Sequence, residues 1–397
     1  MHISRRGFST AVAAAVASVT AGGTAYASPS KGEVRGMWAA TVENLDWPSA
    51  PGLPVARQRA ELKTLLDTAV RRGLNTVILQ VRPAADALWP SRYEPWSEFL
   101  TGTQGQDPGW DPLGTAVAEA HRRGLALHAW FNPYRVANHG DLGRLAEGHP
   151  ARRRPEWTVA HGGRLYYNPG LPEVRRFVQN AILDAVRRYP IDGVHFDDYF
   201  YPYPVRGEVF DDDAAFARYG GGLDRAAWRR RNVDLMIQEM SARLHRQKPR
   251  LPFGVSPFGV WRNASTDPRG SRTTAGVQSY DDLHADTRRW IKERWVSYVC
   301  PQLYWNIGFE AADYAVLLPW WAEVVRGTGV GLLIGEGLYK AGDPEQPAAW
   351  QDPAELSRHL TLAARHRQVG GHVFFSAQDV AGDPIGAMAR VAADHYR

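Results

Sequence analysis

Residues able to do chemistry are concentrated in one stretch, Asp192-Gly-Val-His-Phe-Asp-Asp-Tyr-Phe-Tyr-Pro202. Its first half reads as a short buried strand. The chain then presents His195, Asp197 and Asp198 before a loop that carries Pro202 and Pro204. Side chains alternate along a strand, so His195 and Asp197 share one face while Phe196 takes the other. An imidazole and a carboxylate side by side at a strand's C-terminal end are what a parallel α/β enzyme needs at its catalytic rim. The alternative is that Asp197 and Asp198 only cap the element that follows, but a cap needs one acidic residue and no inward histidine. His128, His195, Asp197 and Asp198 also contain ligand types for a metal-dependent hydrolase. No H-x-x-E-H or paired-cysteine spacing accompanies them, so no metal or cofactor is expected.

The elements that position this stretch follow from a recurring unit. An amphipathic segment ends in a basic pair and a Gly or Pro, and an apolar run ending in polar or aromatic residues follows. Examples are Arg71-Arg-Gly-Leu-Asn-Thr-Val-Ile-Leu-Gln-Val-Arg82, Arg122-Arg-Gly-Leu-Ala-Leu-His-Ala-Trp-Phe-Asn132 and Arg187-Arg-Tyr-Pro-Ile-Asp-Gly-Val-His-Phe-Asp197. Further apolar runs span 251–256, 296–304, 329–337 and 370–376, and one more at 34–42 makes eight candidate strands. Short apolar runs without alternation are strands buried on both faces. Between them, Asp111-Pro112 opens a helix closed by Gly124, and Pro172-Glu173 opens another with Val174, Phe177, Val178, Ala181, Ile182 and Ala185 at helical spacing.

Eight strands alternating with helices predict an α/β fold, a (β/α)8 TIM barrel forming one domain over residues 28–397. A doubly wound open sheet is disfavoured because no Gly-rich phosphate loop follows the first strand. The long loops 83–108, 134–168 and 257–286 all follow strands, on the side where a barrel builds its active site. Residues ending the strands therefore converge: Asp46 and Trp47, Gln80 and Arg82, Asn132 and Tyr134, His195 and Asp197, Ser256, Gln302 and Tyr304, and Glu336. Trp47, Trp89, Trp96, Trp130, Trp261 and Trp305 lie near them. Aromatic faces stack on sugar rings while amides, carboxylates and Arg hydrogen-bond hydroxyls, so this set predicts a carbohydrate ligand.

The N-terminus predicts where the protein works. Ser4-Arg5-Arg6-Gly7-Phe8 precedes an uncharged Ala/Val-rich run and Ala25-Tyr26-Ala27. This order reads as a signal peptide over residues 1–27, with the paired arginines of the twin-arginine route. The protein is expected to be secreted or held in the cell envelope, without stable membrane insertion after removal of the leader. A single cysteine, Cys300, excludes an intrachain disulfide; a mature chain of about 370 residues buries enough core without one. The formal charge of +5 falls to +3 once Arg5 and Arg6 are gone, with 45 basic and 42 acidic residues left. Those basic residues are dispersed, which argues against a nucleic-acid partner. Nothing in the sequence specifies an oligomer.

Several blocks resemble the glycosyl hydrolase-like 10 family of bacterial envelope proteins. They are Arg35-Gly-Met-Trp-Ala-Ala-Thr-Val-Glu-Asn-Leu-Asp-Trp-Pro-Ser49, Gln80-Val-Arg-Pro-Ala-Ala-Asp-Ala-Leu-Trp-Pro-Ser91, Tyr93-Glu-Pro-Trp-Ser-Glu-Phe-Leu-Thr-Gly102, His128-Ala-Trp-Phe-Asn-Pro-Tyr-Arg135, the stretch from Asp192, Phe253-Gly-Val-Ser-Pro-Phe-Gly-Val-Trp-Arg-Asn263 and Cys300-Pro-Gln-Leu-Tyr-Trp305. The resemblance implies a TIM-barrel glycoside hydrolase, acting on peptidoglycan glycan strands stripped of their stem peptides. Another extracellular polysaccharide, or glycan binding without catalysis, is the alternative.

Such an enzyme uses two carboxyl groups, one as general acid and one as nucleophile or base. His195-x-Asp197 resembles the Arg-x-Asp at the end of the fourth strand of α-amylase-like barrels, which implies Asp197 as nucleophile and Asp198 as the fallback. His195 is then expected to bond a sugar hydroxyl or the carboxylate. The stretch also resembles the chitinase signature D-G-x-D-x-D-x-E, but Tyr199 stands where that motif has its acid, so the chitinase mechanism is not carried over and Tyr199 is expected to bind substrate. Glu336, in an apolar Gly-rich run, is the candidate acid, and a structural pairing with Arg82 is its alternative. Glu43, Asp46, Asp281 and Glu310 compete for the role. Arg82 or Arg135 is expected to pair with a muramic carboxylate.

Overall fold

The computed structural model describes residues 32–396; the expected leader, residues 1–27, lies outside them. The strands are β1 (Val34–Ala39), β2 (Thr76–Arg82), β3 (Ala126–Phe131), β4 (Arg135–Ala137), β5 (Thr158–His161), β6 (Arg164–Tyr167), β7 (Gly193–Phe196), β8 (Phe253–Val255), β9 (Tyr298–Val299), β10 (Gly331–Glu336) and β11 (Val369–Phe374). Eight of them close a parallel barrel in the order β1-β11-β10-β9-β8-β7-β3-β2. The expected (β/α)8 barrel is therefore what forms. All seven positions of β2 are buried, as a strand covered by helices outside and side chains inside must be.

Two strands are shorter than expected. The run 251–256 pairs only over Phe253–Val255, and 296–304 only over Tyr298–Val299. Pro257 and Pro301 follow closely, and a proline has no N–H to give to a ladder. Isolated bridges from Gln302 to Phe258 and to Gly335 carry the chain on toward the rim.

Both helices read from their caps are present. In Pro112–His121 the Asp111 carboxylate accepts the Gly114 N–H at 2.9 Å. Pro172–Arg188 buries Val174, Val178, Ala181, Ile182 and Ala185. The segment 134–168 is more ordered than a loop: β4, β6 and β5 form an antiparallel sheet. Its hairpin turns at Gly162 and Gly163, with φ of 57° and 71°, and consecutive positive φ angles are what a tight hairpin demands.

Glycines make room for a polar layer inside the barrel. A Cβ on Gly254 would stand 2.0 Å from the Tyr298 ring, and one on Gly193 would stand 2.6 Å from the His128 ring. Tyr298 Oη sits 2.9 Å from Nδ1 of both His128 and His195. Trp38 Nε1–H donates to His195 Nε2 at 3.2 Å, which makes Nε2 an acceptor and places the proton of the neutral ring on Nδ1. Burial, and next the nearby His128, hold His195 well below its usual pKa, so the ring is uncharged. His195 Nδ1–H then donates to Tyr298, and the Tyr298 hydroxyl donates to His128.

Candidate active site

A cavity of about 330 Å³ opens above this layer at the C-terminal ends of the barrel strands. Asp197 and Asp198, just past β7, line it and are its only acidic residues among the described residues. Asp197 Oδ2 accepts Trp130 Nε1–H at 3.0 Å and Asn132 Nδ2–H at 2.9 Å, and Oδ1 accepts the Tyr199 N–H at 3.3 Å. Burial raises the Asp197 pKa; the Arg135 charge and the bonds from Trp130 and Asn132 oppose it without cancelling it. Asp198 takes the Tyr203 hydroxyl on Oδ2. Burial, and next the Asp197 charge, push its pKa up to about 6 against the Tyr203 and Gln302 hydrogen bonds. Two neighbouring carboxyls are thus driven apart: one braced by N–H donors and a guanidinium, the other left the weaker acid.

The rest of the wall suits a sugar. Trp38, Trp130, Tyr199, Tyr304, Tyr339 and Phe375 supply ring faces, and Gln80, Arg135, Ser256 and Gln302 supply polar groups. Gln80 Oε1 accepts the N–H groups of Thr41 and Val42 at 3.0 and 2.9 Å, pinning the β1 loop to β2. Arg135 lies with Cζ 4.6 Å from the Tyr199 ring centroid, and its Nε–H has no hydrogen-bond partner among the described residues.

Of the residues expected at the site, Gln80, Arg135, Asp197, Asp198, Tyr199, Gln302 and Tyr304 line the cavity. Asn132 braces Asp197 from behind. The others are placed elsewhere. His195 bonds Tyr298, Ser256 and Trp38 under the cavity floor, so it meets neither a sugar hydroxyl nor the Asp197 carboxylate. Arg82 is fully buried and pairs with Glu94, not Glu336; it also donates to the carbonyl of Asn132, which clamps the loop after β3. Trp47 donates to the Gln58 carbonyl and Trp89 to Asp184, both within the packed shell. Tyr134 is buried in the core, and Trp305 packs edge-on against Phe258.

Glu336 is corrected as the candidate acid. It is fully buried and accepts Tyr314 Oη–H at 2.9 Å, with His359 and His372 Nδ1 at 2.9 and 2.8 Å. Burial works to raise its pKa, but the His359 charge and the two imidazole bonds win and hold it at about 2. A carboxyl kept ionised and out of the cavity has no proton to give a substrate. Asp46 is occupied by Ala40 N–H, Ser376 Oγ–H and Gln378 N–H, and so ties β1 to the segment after β11. Asp281 is paired with Arg262, and Glu43 and Glu310 are exposed off the cavity.

Trp38, Tyr339 and Phe375 as wall residues, and Tyr203 and Tyr298 as partners of the polar groups, are not among the residues expected from sequence. Trp38 and Phe375 were legible in principle, as aromatics at the ends of apolar runs. Tyr298 sits inside a strand, and only its facing Gly254 hints that its ring points inward. Among the described residues no three His, Cys, Asp or Glu side chains converge to hold a metal.

The model of the glycosyl hydrolase-like 10 family matches residues 33–352. Glycosyl hydrolase YngK of Bacillus subtilis (strain 168) is 48% identical over 369 residues, covering 92% of this chain and 72% of that protein. Glycosyl hydrolase DigH of Escherichia coli (strain K12) is 40% identical over 363 residues, covering 86% and 82%. Among solved structures, the glycoside hydrolase domain of PgaB (BpsB) from Bordetella bronchiseptica superposes with a TM-score of 0.55 at 12% identity, covering 90% of this chain and 97% of that one. The catalytic domain of a Paenibacillus polymyxa β-amylase gives the same TM-score at 10% identity, covering 91% and 97%. These two share the fold. With a family model spanning most of its length and relatives this similar, the chain belongs to the glycosyl hydrolase-like 10 family.

Proposed function

We propose that this protein is an exported hydrolase of bacterial cell-wall glycan whose substrate is the peptide-free peptidoglycan strand. The reaction class, hydrolysis of O-glycosyl bonds, follows from the family; substrate, site and location are the proposal. The observation that carries it is the pairing of Asp197 and Asp198 in one aromatic-walled cavity with the unspent Arg135 donor beside them. Asp198, the weaker acid, protonates the leaving oxygen, and Asp197 remains the anion facing the positive charge that develops at the sugar. Arg135 is the partner for the lactyl carboxylate of a muramic residue. The ring faces suit a bare chain, whereas stem peptides crowd every second sugar. The paired arginines and Ala25-Tyr26-Ala27 support export by the twin-arginine route.

Reducing-end release is measured on three polymers at equal sugar concentration: amidase-stripped strands, intact peptidoglycan and chitin. The stripped strand should be cut fastest by a wide margin. Equal rates on chitin or on intact peptidoglycan refute the substrate, and binding of the stripped strand without any turnover favours the non-catalytic reading.

A further inference from the structure

The two acids of the cavity come from consecutive residues of one strand end. A glycosidase that supplies its own nucleophile or base places the second carboxyl across the anomeric carbon from the first, about 5–5.5 Å away for retention and about 6.5–9.5 Å for inversion. Among the described residues, the far wall of this cavity has no such group. In the strand order β11 lies four positions from β7 in either direction, so the wall opposite the acids is built by Phe375 after β11, Trp38 on β1 and Tyr339 after β10. Those residues are aromatic and have no carboxylate.

The bracing of Asp197 points the same way. Trp130 and Asn132 both donate to Oδ2, and the Arg135 charge favours the anion. Forming a glycosyl ester on Asp197 would abolish that charge and weaken each of these contacts. They help most if Asp197 stays an anion throughout the reaction.

We propose that the nucleophile is the carbonyl oxygen of the substrate's own 2-acetamido group, with Asp197 accepting the acetamido N–H and Asp198 acting as acid and then base. This rests on the glycoside hydrolase reading and names its substrate class: the sugar whose C1–O bond breaks is a 2-acetamido-2-deoxy sugar. In the first step the Asp198 proton passes to the glycosidic oxygen as C1–O breaks, while the acetamido oxygen bonds C1 to give an oxazolinium ion held against the Asp197 anion. In the second step water gives a proton to Asp198 and bonds C1, the C1–O bond of the oxazolinium breaks, and the acetamide is restored. Two inversions leave the configuration at C1 retained.

The test uses the wild-type enzyme and peptide-free strands that are N-deacetylated and then re-acylated with acetyl, fluoroacetyl, difluoroacetyl or trifluoroacetyl groups. Fluorine withdraws electrons from the carbonyl oxygen with little change in size. The expected result is a stepwise fall in kcat of at least about tenfold across the series, equivalent to about 1.4 kcal/mol of transition-state stabilisation, with KM nearly constant and the product released with retained configuration. A flat kcat, undiminished cleavage of the N-deacetylated strand, or inversion at C1 overturns the proposal and leaves the hydrolase reading intact. No cleavage of the N-acetyl strand overturns both.

Discussion

Replacing Trp130 by Phe removes one N–H from Asp197 while keeping most of the ring that walls the cavity. The Nε1–H donates to Asp197 Oδ2 at 3.0 Å in a buried setting. A hydrogen bond to a charged group contributes about 1.5–3 kcal/mol, and one pKa unit corresponds to about 1.4 kcal/mol. Losing a donor to the charged form disfavours that form, so the Asp197 pKa should rise by about 1–2 units. Asn132, the Tyr199 N–H and Arg135 remain to hold the anion. The assay is the pH dependence of kcat/KM on peptide-free strands. In the wild type the acid limb follows the step that ionises the Asp197–Asp198 pair once, and the alkaline limb lies near pH 6, where Asp198 gives up its proton. Trp130→Phe should move the acid limb upward by about 1–2 units and leave the alkaline limb nearly in place, which narrows the bell. A drop of the same size at every pH, with both limbs unmoved, would mean that the indole packs against substrate but does not tune Asp197, and the assigned roles would fail.

Asp198→Asn should lower kcat by about 10²–10⁴-fold on glycan strands, and by much less on an aryl glycoside whose leaving group needs no proton; equal losses on both refute its role as acid. Gly254→Ala drives a methyl into the Tyr298 ring and should cost at least about 1–3 kcal/mol, read as a lowered urea midpoint; an unchanged midpoint would show that the ring moves aside freely. Glu336→Gln should cost about 3–5 kcal/mol, as when a buried pair loses one member, and chemical denaturation would expose a smaller value as evidence against the buried cluster. Glu336 titrates lower in the folded protein than its ordinary 4.5. Its stabilisation is therefore complete above about pH 4.5 and lost as the pH falls toward 2, and the variant should lack that acid-dependent component of stability.

The barrel was legible in the chain because its evidence is local. Eight apolar runs, the basic pairs and glycines before them, and the capped helices at Pro112 and Pro172 each express a preference that neighbours in sequence suffice to define. That Asp197 and Asp198 line the cavity was legible for the same reason: residues just past the end of a parallel strand sit at the C-terminal rim of a barrel before any contact is known.

Which strand-end residues face the cavity was decided by tertiary structure alone. Glu336 and Asp197 look alike in sequence, each a carboxylate closing a barrel strand. Glu336 meets His359 from a helix and His372 from β11, partners 23 and 36 residues away, and becomes a buried structural anion. Asp197 meets an indole, an amide and open space. Trp47 and Trp89 were expected against a sugar, but Gln58 and Asp184 hold them in the shell. A tryptophan buries its ring wherever packing allows, and its type does not say on which side of the barrel wall that is. The barrel's closure also set Phe375 and Trp38 opposite the two acids. That arrangement, in which one side holds both carboxyls and the other none, follows from strand order around a circle, which no linear spacing encodes.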